Sequence, residues 1–328
     1  MRKQRLTILI VIVLVTAAVY AVFFSKLFLG PDRGGKTVTV VLRSLNVRSD
    51  YWQTMISGAQ TAAKELGIEL DLQGPLQESD TDGQVQALKD AIARKPDALA
   101  VAPADDPRIP ELLEDARKAG ISLVVMDTPV TLSDPPVYVA NDHQLAGRLA
   151  GDAAARSVHG SPAVAVFSDS PESSISLKRL DGIRAAMKEH GGRVTGTYYN
   201  GDSEQLAYEF AVTLLRSEPQ FNAFITLNES ATLGVAKALQ EVKGTSRYKL
   251  IGFDSSIYEI QLLEEGAVSA LLVQKPFNVG YLGVKTAIGM IDGRRTDKRT
   301  LIGSTVVTRD NMNDPDIQRL MFPFPVIQ

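Results

Sequence analysis

Ala98-Leu99-Ala100-Val101-Ala102-Pro103-Ala104-Asp105-Asp106 is an apolar run that ends at two acids. Consecutive apolar residues without polar alternation mark a strand covered on both faces, as in a parallel sheet flanked by helices. The pattern recurs in both directions. It appears upstream in Val38-Thr39-Val40-Val41-Leu42, then downstream in Ile121–Met126, Val137–Ala140, Ala163–Phe167, Ala223–Leu227, Tyr248–Phe253 and Val268–Val273. Amphipathic stretches of about 12–18 residues separate these runs, so the spacing predicts a βαβ rhythm. Helices are expected over 51–66, 82–94, 107–119, 142–158, 174–190, 203–217, 229–243 and 277–292. Gly67, Gly120, Gly160, Gly191 and Gly244 stand where helix C-termini are capped. About nine or ten strands are too many for one comfortable open sheet. Two similar α/β lobes are the natural division.

The chain has 328 residues, 45% apolar, with no cysteine. That excludes a disulfide framework, a thiolate metal site and a cysteine nucleophile. The net charge is −3. Four of the 35 basic residues (Arg2, Lys3, Arg5 and Lys26) and none of the 38 acids fall in the first 30 positions, so the rest is more acidic, about −7. A body of that charge does not suit nucleic acid.

From Leu6 to Leu29 the chain is almost wholly apolar, and roughly 20 such residues span a bilayer as a helix. Met1-Arg2-Lys3-Gln4-Arg5 places positive charge before it, which predicts a cytoplasmic N-terminus. A cleaved signal peptide ending at Val19-Tyr20-Ala21 is the alternative, and a lipoprotein signal would need a cysteine. Because the apolar run continues from Val22 to Leu29, an uncleaved anchor over 1–30 is expected, with 31–37 as a spacer. Everything from about residue 36 is then extracytoplasmic.

Common catalytic signatures do not occur: there is no P-loop, Gly-x-Gly-x-x-Gly, His-Glu-x-x-His or Gly-x-Ser-x-Gly. No enzyme activity, cofactor or metal is therefore expected. His159 and His190 precede glycines at helix ends, where a partly cationic ring is favourable, and His143 stands near a helix start. Glu78-Ser79-Asp80-Thr81-Asp82-Gly83 has the acid spacing of a calcium loop, but the twelfth position is Lys89 where a glutamate is required. Helix capping is its simpler role.

Polar residues cluster at the carboxyl ends of the apolar strands: Arg43-Ser44, Asp105-Asp106, Asp127-Thr128, Asp169-Ser170, Asn228-Glu229, Asp254-Ser255 and Gln274-Lys275. Ligands of open α/β sheets bind outside those ends. Any single member also suits a helix N-cap. Tyr51-Trp52 opens the first helix of the body and includes the only tryptophan. A flat ring beside amides and carboxylates suits a sugar, whose C–H face it covers while polar groups take the hydroxyls. Burial of Trp52 in the core is the competing reading.

The order of these residues resembles a family. Ser49-Asp50-Tyr51-Trp52-Gln53-Thr54-Met55 with Gly58-Ala59 comes first, then Lys95-Pro96-Asp97-Ala98 through Asp105. Val125-Met126-Asp127, Val139-Ala140-Asn141-Asp142, Lys178-Arg179-Leu180-Asp181-Gly182, Leu227-Asn228-Glu229, Ile251-Gly252-Phe253-Asp254 and Gln274-Lys275-Pro276 follow in register. Together, over 38–310, they look like periplasmic sugar-binding proteins of the ribose/galactose type, the type I periplasmic-binding-protein fold. The resemblance implies two Rossmann-like lobes with parallel sheets, joined by a three-crossover hinge that closes on one small ligand, here preceded by the N-terminal transmembrane helix. The first lobe is expected to hold 38–141 and 275–302, and the second 142–274 and 303–310. A tail, 311–328, is expected as a last turn and an extended strap.

Carried over by position, Asp127, Asn141, Arg179, Asn228, Asp254 and Gln274 match residues that hydrogen-bond the sugar, and Tyr51 and Trp52 match its aromatic walls. Arg43, Ser44, Arg48, Ser49, Asp105 and Asp202 are secondary candidates. Arg179 between Asp127 and Asp254 would form a charge-assisted clamp. Two departures stand out: Thr128 replaces an arginine of ribose binders, and Asp202 replaces a phenylalanine. Arg43 and Arg48 could compensate in charge. Another pentose, a hexose or an anionic derivative is therefore expected rather than ribose in its usual pose.

The same fold serves lactose-repressor-type transcription factors, but these need an N-terminal helix-turn-helix where this chain has an apolar run. The partners implied are a small sugar and a membrane protein: an ABC permease, with the chain as an importer's capture subunit. The alternative is a membrane histidine kinase or chemoreceptor, with the chain as a sensor. The ectodomain is expected to be monomeric. An extracytoplasmic enzyme or a purely structural domain on this fold is the third possibility, and turnover of a bound sugar would reveal the enzyme.

Overall fold

The structure is a computed structural model and describes residues 35–47, 50–217 and 220–322. The proposed anchor over 1–30 lies outside the described residues, and among those described no helix is long and apolar enough to cross a membrane.

Two six-stranded sheets organise the chain. The first holds β1 (Thr37–Val41), β2 (Glu69–Gln73), β3 (Ala98–Val101), β4 (Ser122–Met126), β5 (Val137–Asn141) and β11 (Arg299–Ile302). Their order is β11-β5-β4-β3-β1-β2, and every pairing is parallel. The second holds β6 (Ala163–Ser168), β7 (Arg193–Tyr199), β8 (Ala223–Thr226), β9 (Lys249–Phe253), β10 (Ala270–Val273) and β12 (Thr305–Val307). Their order is β12-β10-β9-β8-β6-β7, with only the β10–β12 pairing antiparallel. The chain passes between sheets after Asn141, after Gln274 and between Ile302 and Thr305.

Helices cover both faces of each sheet, so the central strands are buried along their length, as in Ala98–Val101 and Ala163–Ser168. On the first lobe lie α1 (Asp50–Leu66), α2 (Thr81–Ala93), α3 (Ile109–Lys118) and, after the second crossing, α9 (Pro276–Ile291). On the second lie α4 (His143–Ser157), α5 (Ser174–Glu189), α6 (Glu204–Arg216), α7 (Glu229–Glu241), α8 (Ile257–Glu265) and α10 (Pro315–Met321).

Very close helix pairs hold each lobe. In the first, a Cβ on Gly58 of α1 would lie 2.0 Å from the Phe277 carbonyl oxygen, and one on Gly280 of α9 would lie 2.0 Å from that of Met55. In the second, a Cβ on Gly147 of α4 would lie 1.9 Å from the Arg179 carbonyl oxygen of α5. Glycine alone permits this approach, which sets the height of both helices over their sheets.

The eight apolar strands read from sequence are all present. Four more, β2, β7, β11 and β12, are edge or near-edge strands whose exposed and half-buried residues give no continuous apolar run. The helix α8 was also not anticipated: it starts at a capping box in which Ser256 and Glu259 satisfy each other's backbone groups and stops at Gly266 (φ 81°). Gly244 is not the left-handed cap; Lys243 takes that conformation (φ 53°) one residue earlier. Asp80 accepts from Gly83 N and caps α2, the role read for that acidic stretch. The last turn expected in the C-terminal tail is the short helix α10, and the strap expected after it, residues 323–328, lies outside the described residues.

Candidate ligand-binding site

A cavity of about 210 Å³ lies where the carboxyl ends of strands from both sheets meet. Arg43 follows β1, Asp127 follows β4, and Asp169, Asp202, Asn228, Asp254 and Gln274 follow β6 to β10 in turn. Tyr51 and Trp52 at the start of α1, and Ser173, Ser176 and Arg179 at the start of α5, complete the walls.

Three of these acids are held in left-handed backbone: Asp127 (φ 59°), Asp202 (φ 58°) and Asp254 (φ 79°). Aspartate tolerates that region better than most residues, yet each instance costs of order 1–3 kcal/mol when the surroundings enforce it. Strain repeated at three strand ends around one cavity points to function, because it turns each carboxylate off the end of its strand.

The first lobe supplies an interlocked wall. The Tyr51 hydroxyl donates to Asp127 Oδ1 at 2.6 Å, and Asn141 Nδ2 donates to that hydroxyl at 3.3 Å. His143 Nε2 is 3.2 Å from the Asp127 carbonyl oxygen and 3.6 Å from its Oδ1. Burial alone would push the Asp127 carboxyl up; His143, the Tyr51 hydroxyl and the Arg179 charge outweigh it and hold the group below the usual carboxylate range. Burial and the same carboxylate push the Tyr51 phenol well above its ordinary value, so it stays a neutral donor.

The second lobe presents Arg179, 6% exposed. Its Nη1 donates to the Leu227 carbonyl oxygen at 2.5 Å, its Nη2 to Gln274 Oε1 at 2.9 Å, and its guanidinium lies 4.4 Å over the Phe253 ring. Gln274 Nε2 then donates to Asp254 Oδ1 at 2.5 Å. The expected direct clamp is thus replaced by a relay: Gln274 stands between Arg179 and Asp254, and Asp127 is engaged by Tyr51. Burial drives the Asp254 carboxyl above its ordinary value, outweighing the nearby Arg179. The Arg179 Nε is buried with no partner among the described residues.

At the other end, Arg43 Nη2 is 3.2 Å from Glu78 Oε1, and Trp52 Nε1 donates to Glu78 Oε2 at 2.9 Å. Burial disfavours the Arg43 charge, but Glu78, Asp127, Asp105 and Asp169 together raise its pKa. Asp202 Oδ1 accepts from Asn228 Nδ2 at 2.7 Å, while Asn228 Oδ1 caps α7 at Ala231 N. Partial burial and the charges of Asp169 and Glu78 push the Asp202 carboxyl up to about 6. Trp52 is both wall and core: it lines the cavity yet is 2% exposed and belongs to the first lobe's apolar cluster.

Of the residues singled out from sequence, Tyr51, Trp52, Asp127, Arg179, Asn228, Asp254, Gln274, Arg43 and Asp202 line this cavity. Three do not. Asn141 accepts from Lys275 N at 3.1 Å, tying the first crossing to the second and positioning Tyr51. Ser44 donates to the Leu76 carbonyl oxygen at 2.9 Å and holds its own loop. Asp105 accepts from Ser174 N at 3.1 Å, a hydrogen bond from one lobe to the other. Arg48 and Ser49 lie outside the described residues. Glu78, Ser173 and Ser176 line the cavity without having been picked out as site residues, while Glu229 lines it as a member of the strand-end polar cluster. For Glu78 no sequence signal existed, since only the fold brings it to Trp52.

The periplasmic binding protein domain family matches residues 41–295. The D-ribose/D-allose-binding protein of Pseudomonas aeruginosa is 24% identical over 265 residues, which is 78% of this chain and 82% of that protein. The Escherichia coli ribose import binding protein is 23% identical, over 83% of this chain and 90% of that one. Among solved structures, a carbohydrate transporter solute-binding protein from Agrobacterium radiobacter in complex with D-arabinose superposes with a TM-score of 0.81. It is 26% identical, over 88% of this chain and 99% of that one. GanP, a glucose-galactose binding protein from Geobacillus stearothermophilus, gives a TM-score of 0.79 at 27% identity, over 85% and 99%. With its two α/β lobes and a cavity at the strand ends, the chain belongs to the periplasmic binding protein domain family.

Proposed function

We propose that the chain is an extracytoplasmic substrate-binding protein that captures one small sugar between its lobes and delivers it to an ABC importer. The observation that carries this reading is the cavity's make-up. Neutral and charged acceptors and donors from both lobes surround a space for one small molecule, with Tyr51 and Trp52 at one wall. Hydroxyl-rich ligands need such paired donors and acceptors, since every polar group removed from water must find a partner. The names of relatives covering most of the chain, a ribose import binding protein and a transporter's solute-binding protein with D-arabinose, support both the ligand class and the importer.

In this reading Asp127, Arg179, Asn228, Asp254 and Gln274 hold hydroxyls, and Tyr51 and Trp52 cover the ring. The crossings at 141–142, 274–275 and 302–305 act as the hinge, and the bond between Asp105 and Ser174 N belongs to the closed form. The N-terminal apolar segment tethers the protein to the outer face of the cytoplasmic membrane. Capture rather than turnover is the role, and the ligand leaves unchanged.

The test is a thermal-shift screen of the full chain, in a detergent without a sugar headgroup, against pentoses, hexoses, their phosphates, inositols and nucleosides. A ligand at a hundred times its dissociation constant adds about 2.7 kcal/mol. A large upward shift with one sugar supports the reading, and no shift with any sugar overturns it.

A further inference from the structure

We propose that the sugar this cavity takes carries a protonated amine, presented to Asp169 and Asp202. The inference rests on the sugar-binding reading above and narrows its ligand class.

The cavity's walls carry six carboxylates (Glu78, Asp127, Asp169, Asp202, Glu229 and Asp254) against two guanidiniums, Arg43 and Arg179, with no lysine or histidine. The two guanidiniums are largely committed. Arg43 pairs with Glu78, while Arg179 donates to the Leu227 carbonyl and to Gln274. Asp169 and Asp202 therefore have no ion-pair partner among the described residues. Their hydrogen-bond donors are neutral: the Ser168 and Ser176 hydroxyls for Asp169 Oδ1, at 3.1 and 2.6 Å, and the Asn228 amide for Asp202 Oδ1.

The fold forces these two acids together. They follow neighbouring parallel strands that pair Ser168 with Tyr199, and Gly201 N donates to the Asp169 carbonyl oxygen at 2.9 Å. Asp202 is also held in left-handed backbone. Like charges so placed repel; burial first, and then the charges of Asp169 and Glu78, outweigh the Arg43 charge and push the Asp202 carboxyl up to about 6. A neutral sugar could donate hydroxyls here but would leave the excess charge in place. An ammonium group removes it and forms charge-assisted hydrogen bonds, roughly twice as strong as neutral ones. The same excess opposes an anionic sugar derivative. The unpartnered Arg179 Nε is left to take a sugar oxygen.

The test is calorimetric titration of the full chain at neutral pH with D-glucosamine, D-galactosamine, their parent hexoses, their N-acetyl forms and neutral pentoses. The N-acetyl forms keep the nitrogen and lose the charge. The expected result is an amino sugar that binds at least tenfold more tightly than both its parent and its N-acetyl form. Asp202→Asn and Asp169→Asn should each reduce that ratio several-fold, with circular dichroism confirming that both variants are folded. A neutral pentose or hexose that binds as tightly as any amino sugar, or a ratio untouched by both substitutions, overturns the inference while leaving the sugar-binding reading standing. Binding of none of these compounds also overturns the inference, and the thermal-shift screen above then decides the sugar-binding reading separately.

Discussion

Gln274 joins Arg179 to Asp254: its Oε1 accepts from the guanidinium at 2.9 Å while its Nε2 donates to the carboxylate at 2.5 Å. A side-chain amide is the group that can do both at once, because its two ends have opposite polarity. It sits at the end of β10, one residue before the chain crosses to the first lobe. Under the proposed function, a ligand that displaces or completes this relay acts where the lobes are joined.

Replacing the amide tests this. Gln274→Leu leaves a buried guanidinium nitrogen and a buried carboxylate oxygen without partners, and the penalty for such orphaned charged groups is about 2–5 kcal/mol. Calorimetry with the sugar identified by the screen should show affinity reduced by at least thirtyfold, with the fold intact by circular dichroism. Unchanged affinity would remove the relay from the binding account.

Trp52 has two jobs, and its substitution separates them. The indole is 2% exposed within the first lobe's core, and its N–H satisfies Glu78. Trp52→Ala should therefore destabilise by about 3–5 kcal/mol, the usual range for truncating a buried aromatic. Denaturant titration measures this. Trp52→Phe keeps most of the apolar packing but strands one Glu78 oxygen, so it should lose less stability than the alanine variant. Because this is the only tryptophan, ligand binding to the unmodified protein should also change its fluorescence.

How much of this was legible beforehand varies from residue to residue. Val38–Val41 and Ala98–Val101 announce buried parallel strands, since both faces are covered and the residues are apolar without a break. Arg193–Tyr199 and Glu69–Gln73 do not, because an edge strand with one open side mixes polar and apolar residues. Strand-end polar residues pointed to the cavity, but sequence does not tell which way a side chain turns. Asp127 and Gln274 line the cavity, while Asn141 and Ser44 are spent on the chain's own crossing and loop. The capping box at Ser256 and Glu259 was readable by spacing and would have placed α8.

Burial of carboxylates gives the protein a pH dependence of definite sign. Glu259 is fully buried; burial, with the charges of Asp254 and Glu229, drives its pKa well above the ordinary glutamate value, and Glu229, Asp254 and Asp202 are raised as well. A carboxyl with a raised folded-state pKa binds its proton more tightly folded than unfolded. The stability it lends is complete below the ordinary carboxylate range and is lost as pH rises through the folded-state value. The melting temperature of the ligand-free protein should therefore fall from mildly acidic to neutral pH. Glu259→Gln keeps the capping box and removes the charge, so it should raise stability at neutral pH by on the order of 1 kcal/mol or more and flatten the profile. A melting temperature that rises over that interval would contradict the assignment.

Gly147 has no atom in the cavity, yet it fixes Arg179 in height. A Cβ there would stand 1.9 Å from the Arg179 carbonyl oxygen, which is backbone and cannot swing aside, so Gly147→Ala must push α4 and α5 apart. Overpacking of this kind costs typically 1–3 kcal/mol of stability. The displaced helix carries the guanidinium with it, away from the Leu227 carbonyl oxygen 2.5 Å from Nη1 and from Gln274. Both stability and sugar affinity should fall in this variant. The control is Arg148→Ala on the next position of α4, whose exposed ion pair with Glu189 contributes well under about 1 kcal/mol and touches nothing in the site. If Gly147→Ala loses stability but binds sugar as tightly as the control, helix packing does not aim Arg179, and β8 and β10 alone must hold it through Leu227 and Gln274.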